Sequence, residues 1–358
     1  MKPKKRCSAA VGLLTAGAML SLALTGSGAL MTESPGEQAV PAAAVVRESA
    51  RKVVPLGRAV GIKLFSDGVL VVGMSELETG QGSVNPGRDS GLKTGDVITH
   101  VNGQEVDTVE QVQTILKEEG QHPLTLRASR SGTVVQLSAQ AVETGQGNYK
   151  LGVWLRDSMA GIGTMTFWDP DSNTFGALGH GINDVDTAQL MPMEAGTIMY
   201  ATVSDVKRGQ AGDPGELHGI FDVKRDLGSL SANTPCGIYG VLTDASDFPL
   251  HQQMEVARFE DVKLGKASIL SNINGDTVQE YDVEITKIYP TSPEETRNMM
   301  IKVTDPDLLS QTGGIVQGMS GSPICQNGKL VGAVTHVLIN DPTTGYGIFI
   351  ENMLDAAA

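Results

Sequence analysis

From Leu151 to the C-terminal end the chain carries a two-residue rhythm that suits strands and leaves almost no helical period. Tyr281, Val283 and Ile285 alternate with Asp282, Glu284 and Thr286, after a turn signal at Asn274-Gly275. Ile301 and Val303 alternate again, and Leu330–Val337 is a near-continuous apolar run. Alternation places one set of side chains on a core face and the other in water, and Asn-Gly tolerates the positive φ that tight hairpins need. About 200 residues of short strands predict an antiparallel β-barrel or a pair of them. The 43 glycines and an aromatic content of only 4% fit many tight turns. The expected fold class is therefore mainly β, with an α+β module in front.

The first 32 residues carry a different signal. Lys2, Lys4, Lys5 and Arg6 precede an uncharged stretch from Cys7 to Thr32, with an apolar centre at Ala9–Leu24. This predicts a signal peptide or a membrane anchor, with everything after it exported across the cytoplasmic membrane. Ser27-Gly28-Ala29 offers a small-x-small cleavage site, and no cysteine follows the apolar run to take a lipid. Residues 33–52 are rich in Pro, Ala and Glu and read as a linker. Formal net charge is −14 and no basic patch occurs after the first six residues, which excludes nucleic acid as a partner. Only Cys7, Cys236 and Cys325 are cysteines, and no Cys-x-x-Cys or His-Glu-x-x-His occurs, so no metal and no cofactor is expected. Cys236 and Cys325 read as two small buried residues, or as a pair if the compartment is oxidising.

Residues 53–142 form the α+β module. Val69–Val72 is a short strand, and Val101-Asn102-Gly103 is a hairpin turn. Val109, Val112, Ile115 and Leu116 recur at helical spacing, predicting a helix over Asp107–Glu118. Leu124–Ala128 and Val134–Ala139 close the module as strands. With the string Gly91-Leu92-Lys93-Thr94-Gly95-Asp96-Val97-Ile98, this stretch resembles a bacterial PDZ domain. The resemblance implies a module that binds peptides by adding a strand to a sheet edge. By position, Gly61, Ile62, Lys63 and Leu64 look like the loop that receives a peptide carboxylate. Lys63 departs from the usual Gly-apolar-Gly-apolar pattern, and the same four residues also read as an ordinary strand start.

The chemistry lies further along. Gly318-Met319-Ser320-Gly321-Ser322-Pro323 holds a serine between two glycines. A hydroxyl nucleophile that attacks a carbonyl needs two backbone N–H groups aimed at the developing oxyanion, and Gly318 and Ser320 can supply them. The Gly-x-Ser-x-Gly elbow does not fit, because position 322 is Ser. The string alone also reads as a Gly/Ser turn between strands. A serine nucleophile needs a base. Among six histidines, His180 stands between Gly179 and Gly181 after a predicted strand at Thr164–Trp168 and a turn at Asp169–Asn173, as an exposed base on a tight corner would. His336, sixteen residues after Ser320, suits the wall of a substrate pocket or the core better than the role of base. For the group that orients the imidazole, Asp305 at a predicted strand end is preferred, with Asp184 and Asp186 left open.

Longer strings then match one family. Thr304-Asp305-Pro306, the run from Thr312 to Ile324, Gly332–Val337, Asn340–Thr343, Ala177–Gly181 and Leu151–Asp157 resemble the SpoIVB peptidase family of endospore-forming bacteria. The order of parts, an N-terminal membrane segment, a PDZ module and a peptidase domain over residues 143–358, resembles it too. The resemblance implies a trypsin-like serine endopeptidase with Ser320 as nucleophile, His180 as base and Asp305 as orienting group. It further implies self-cleavage, and cleavage of an inhibitory partner of an intramembrane protease between the forespore and mother-cell membranes, which activates the late mother-cell sigma factor. Two other readings compete: a non-catalytic PDZ adaptor, and a general extracytoplasmic quality-control protease. The second group usually carries its PDZ module after the catalytic domain.

Overall fold

The computed structural model describes residues 51–357, apart from 81, 146, 247, 249 and 290–295. The expected signal or anchor segment and nearly all of the linker lie outside the described residues. Among the described residues no helix is long and apolar enough to cross a membrane.

Strand β1 (Lys52–Met74) organises the molecule because it belongs to two modules at once. Its first part, Val54–Phe65, pairs antiparallel with the stretch from Trp168 to Ser158. Along Val60–Phe65 its other edge pairs with Tyr200–Ala195. Past a break in register at Phe65/Leu70, where Gly68 takes φ +86°, the same strand enters the α+β module. There Val69 and Leu70 pair with Ile98 and Val97 of β2 (Val97–Val101). The module continues with α1 (Val109–Glu119), β3 (Leu124–Arg130) and β4 (Thr133–Ala139). Thr108 caps α1 in a reciprocal pair with Gln111, which satisfies donors that the first turn would leave bare. Val112, Ile115 and Leu116 turn inward onto Val69, Ile98, Leu124, Leu126 and Leu151.

The chain then returns through β5 (Val153–Asp169), a 17-residue strand that retraces β1 from end to end. The α+β module is thus inserted into a hairpin of the first half of the peptidase region. The expected boundaries at 53 and 142 do not follow the hydrogen bonding, since residues 54–65 lie within the peptidase sheet. Gly61, Ile62, Lys63 and Leu64 are likewise not a carboxylate loop. They sit mid-strand with β5 on one edge and 196–199 on the other, so neither edge is open to a peptide.

In the first half, β5 is followed by β6 (Thr174–Ala177), β7 (Ala195–Lys207), β8 (Glu216–Thr234) and β9 (Gly237–Leu242). Pairing runs β7–β1–β5–β6–β9–β8 and returns to β7, antiparallel throughout. The enclosed core includes Val60, Ile62, Met165, Phe175, Ile198 and Ile238.

The second half repeats the plan. It uses β10 (Gly265–Asn274), β11 (Thr277–Ile288), β12 (Met299–Val303), helix α2 (Pro306–Thr312), β13 (Pro323–Gln326), β14 (Lys329–Leu338), β15 (Asp341–Phe349) and a C-terminal helix α3 (Ile350–Ala356). Pairing runs β10–β11–β12–β15–β14–β13 and returns to β10. Tyr281, Val283 and Ile285 face its core, as the alternation requires, with Ile301, Ile324, Val334 and Phe349. Cys236 and Cys325 are buried in a third cluster with Phe167 and Tyr239. Burial pushes the Cys325 thiol up to about 12.

Candidate active site

The Ser320 loop runs from α2 to β13, and local chemistry dictates its shape. Helix α2 begins at Pro306, whose missing N–H costs nothing in a first turn, and ends at Gly313 in the left-handed conformation, φ +75°. Gly318 (φ +96°) and Gly321 (φ +98°) then bend the backbone on either side of Ser320. The wholly buried Met319 between them anchors the loop in the second core. A buried Met side chain contributes about 1.5–3 kcal/mol by leaving water.

Strand β5 clamps the loop from the first half. The Thr164 hydroxyl donates to the Gly318 carbonyl at 2.7 Å, and the Thr166 hydroxyl to the Gly321 carbonyl at 2.8 Å. The Thr164 amide donates to the Ser320 carbonyl at 3.0 Å. From below, the Gly321 amide donates to Val334 at 2.7 Å. With the carbonyls so held, the Gly318 and Ser320 amides donate to no protein acceptor among the described residues.

Gly321 has no room for a side chain. A Cβ there would lie 1.9 Å from the Thr164 carbonyl oxygen, at a φ that only glycine adopts freely. Gly321→Ala is expected to destabilise the fold by about 3 kcal/mol or more. Thermal unfolding of the purified variant measures this.

His180 comes from the first half, three residues past β6, after Leu178 and Gly179 both take φ +69°. Its Nδ1 lies 2.8 Å from the Gly181 carbonyl. A carbonyl only accepts, so Nδ1 carries the proton and Nε2 presents its lone pair. Gly181 is fixed in turn, its amide donating to Pro235. Burial pushes the His180 imidazole below its ordinary value, against the Gly181 carbonyl, which raises it. The ring of His336 on β14 lies 5.0 Å from that of His180. Burial, then His180 and Arg297, push His336 down to about 4.

His180, Gly318, Ser320 and His336 line one cavity of about 370 Å³, together with Ile62 and Met159–Ile162 of β5. The structure therefore brings together five of the residues singled out by the sequence, Ile62 among them although it was expected in a different site. The Ser320 hydroxyl donates to the Thr335 carbonyl at 2.7 Å, and must turn away from it to meet an imidazole.

Asp305 is elsewhere. It is the N-cap of α2, with one carboxylate oxygen accepting from the Asp307 and Leu308 amides at 3.0 and 2.9 Å. The other oxygen accepts from the Asp282 amide at 3.3 Å. The expectation that Asp305 orients His180 is thus not met, because three backbone amides hold its carboxylate at the helix start. Asp184 and Asp186 are also engaged elsewhere, both on Arg156. Burial raises the Asp184 carboxyl, but Thr187 and Arg156 outweigh it and hold it below the ordinary range. Asparagine caps helices as well as aspartate. Asp305→Asn is therefore expected to keep kcat/KM within about threefold, whereas loss of a carboxylate that fixes the tautomer costs about 10⁴-fold. Asp305→Ala should lower stability by about 1 kcal/mol. Steady-state kinetics and melting curves on the two variants separate cap from orienting group.

A second concavity lies in the inserted module. It measures about 660 Å³ and runs between α1 (Val109, Val112, Leu116) and the stretch Tyr149–Leu155. At its end the Leu151 and Gly152 carbonyls are tied back by Gly87 and Ser75. The amides of those two residues donate to no protein acceptor among the described residues.

Comparison with known proteins agrees with this two-part layout. The model of the SpoIVB peptidase S55 family matches residues 147–354, more than half of the chain. The chain belongs to the SpoIVB peptidase family. A PDZ-domain model matches residues 85–130 of this SpoIVB-family chain. Among curated proteins no sequence matches it. Among solved structures, similarity extends to the active form of the Rv3671c protease from M. tuberculosis, at 17% identity and TM-score 0.32 over 56% of this chain and 73% of that one. The HtrA-type protease AlgW with decapeptide matches at 14% identity and TM-score 0.32, over 56% of this chain and 52% of that one. The thermostable serine protease AL20 from an extremophilic microorganism matches at 13% identity and TM-score 0.32, over 55% and 91%. The SpoIVB-family chain is accordingly a serine peptidase that carries a PDZ domain.

Sequence reasoning missed three parts of its site: the hydroxyls of Thr164 and Thr166 and the Gly181 carbonyl. The two threonines alternate with Met165 and Phe167 in a strand that the pattern did reveal. Two polar residues at buried positions of such a strand were the available signal.

Proposed function

We propose that this SpoIVB-family peptidase hydrolyses peptide bonds through an acyl-enzyme on Ser320, in a trypsin-like pair of β-barrels. The observation that carries the reading is that His180 and Ser320, 140 positions apart in the chain, line one cavity between the two halves. The Ser320 hydroxyl swings from Thr335 to Nε2 of His180, gives up its proton there and attacks the substrate carbonyl. The oxyanion forms against the Gly318 and Ser320 amides, which donate to no other acceptor among the described residues. The C–N bond breaks as His180 returns the proton to the departing amine. Water then releases the acyl group by the same steps in reverse.

The Gly181 carbonyl fixes the imidazole, and among the described residues no carboxylate is hydrogen-bonded to it. A carbonyl stabilises imidazolium less than a carboxylate, so turnover is modest, as suits a peptidase that acts on few bonds. His336 forms a neutral wall of the substrate pocket. The PDZ groove takes an extended peptide as an added strand.

The biological reading follows from the family. The chain is exported through its N-terminal segment and anchored in, or released at, the membrane between forespore and mother cell. There it cleaves itself and a membrane-associated inhibitor of an intramembrane protease, and so activates the late mother-cell sigma factor. Incubating the purified enzyme with the exported part of that inhibitor tests this. Discrete cuts that depend on Ser320 are expected, and an intact inhibitor beside a rapidly digested unfolded protein would point to quality control instead.

A further inference from the structure

We propose that this chain measures substrates other than itself from their free C-terminus, cutting a set number of residues upstream of it. The proposal rests on the peptidase reading above and adds a rule of specificity to it. Its basis is that one strand, β5, carries both sites. Val153 and Leu155 line the PDZ groove, and Met159–Ile162 line the cavity of His180 and Ser320. Between the two, β5 is uninterrupted. One edge of it is taken by β1 throughout. Among the described residues no strand pairs with its other edge before Met165, where β6 begins. A peptide can therefore pair with that edge from the groove to the cavity.

The direction of such a peptide is set by chemistry. The unengaged Leu151 and Gly152 amides stand at the start of β5, where Gly152 takes φ +70°. Successive amides in such a turn form a nest for an anion. Lys117 on α1 and Lys150 beside the nest line the same groove and add positive charge. A C-terminal carboxylate is the anion that an extended peptide brings. With its carboxylate at Leu151–Gly152 the peptide runs antiparallel to β5, so its upstream residues advance toward Met159 and Ile162.

In a ladder without bulges, pairing is one residue to one residue. From Val153 it is six positions to Met159 and nine to Ile162. At about 3.3 Å per residue, the span is about 20–30 Å. The scissile bond then falls about six to nine residues from the C-terminus. The groove thus acts as the zero of a ruler and Ser320 as its mark.

The test uses the exported protein and synthetic peptides that share one repetitive, permissive sequence and end in arms lengthened one residue at a time. Mass spectrometry of the products reads the cut. The expected result is a cut that keeps its distance from the C-terminus and moves along the sequence as the arm grows. Amidating the C-terminus should lower kcat/KM by about tenfold or more, the worth of a charge-assisted hydrogen bond. The double variant Lys117→Glu and Lys150→Glu should lose the preference for the free acid, while a fluorophosphonate labels its Ser320 at the normal rate. Cuts that stay at one bond whatever the arm, with amidation neutral, overturn the ruler and leave the peptidase reading intact. Absence of any Ser320-dependent cut overturns both.

Discussion

Replacing Ser320 by alanine is expected to reduce peptide hydrolysis about a millionfold while the protein stays folded. The magnitude is that of removing a nucleophile whose partners can then do nothing. The fold should persist because the hydroxyl makes one hydrogen bond, to the Thr335 carbonyl. The loop itself is held through backbone groups, by Thr164, Thr166 and Val334. Steady-state assays with circular dichroism on the same sample separate the two claims. An unfolded variant would show that the hydroxyl is structural.

The second large effect belongs to His180. His180→Ala should cost nearly as much as Ser320→Ala, and the double variant scarcely more than either, because base and nucleophile act as one unit. Its pH dependence has a definite sign. The base works only when neutral, so activity falls as pH drops through the His180 pKa. Burial lowers that pKa more than the Gly181 carbonyl raises it, so the acid limb lies below the ordinary imidazole value of about 6.5. His336, held down to about 4, stays neutral across the same range. His336→Asn should therefore leave an acid limb in place, whereas His180→Ala abolishes it. A limb that disappears with His336 would exchange the two roles.

How much of this was legible in the chain differs from element to element. Alternation at Tyr281, Val283 and Ile285 reported the second core directly, because a half-buried strand has to separate its faces. The helix at Val109–Glu119 was placed two residues early at its start and one short at its end, since the spacing of Val112, Ile115 and Leu116 marks a buried face and not the cap. The glycines around Ser320 gave away the loop because φ values near +96° exclude most other residues.

What stayed hidden was long-range. Nothing local shows that Val54–Phe65 pairs with residues a hundred positions later, so the PDZ-like module looked consecutive rather than inserted. The same blindness placed a carboxylate loop at Gly61–Leu64, although Leu151-Gly152 lies at the end of the groove. Asp305 misled for a different reason. Asp-Pro before an apolar pair is also a helix start, with Asp as cap and Pro in the first turn, and that local reading won. A triad carboxylate and an N-cap look alike in sequence, because both are an aspartate at the end of a strand.

The Ser320–His180 pair in one cavity is the centre of the account, and covalent labelling tests it most directly. Treating the folded protein with a fluorophosphonate and mapping the adduct by mass spectrometry should place one modification, on Ser320, with labelling lost in His180→Ala. An adduct on any other residue, or undiminished labelling of Ser320 without His180, would contradict it.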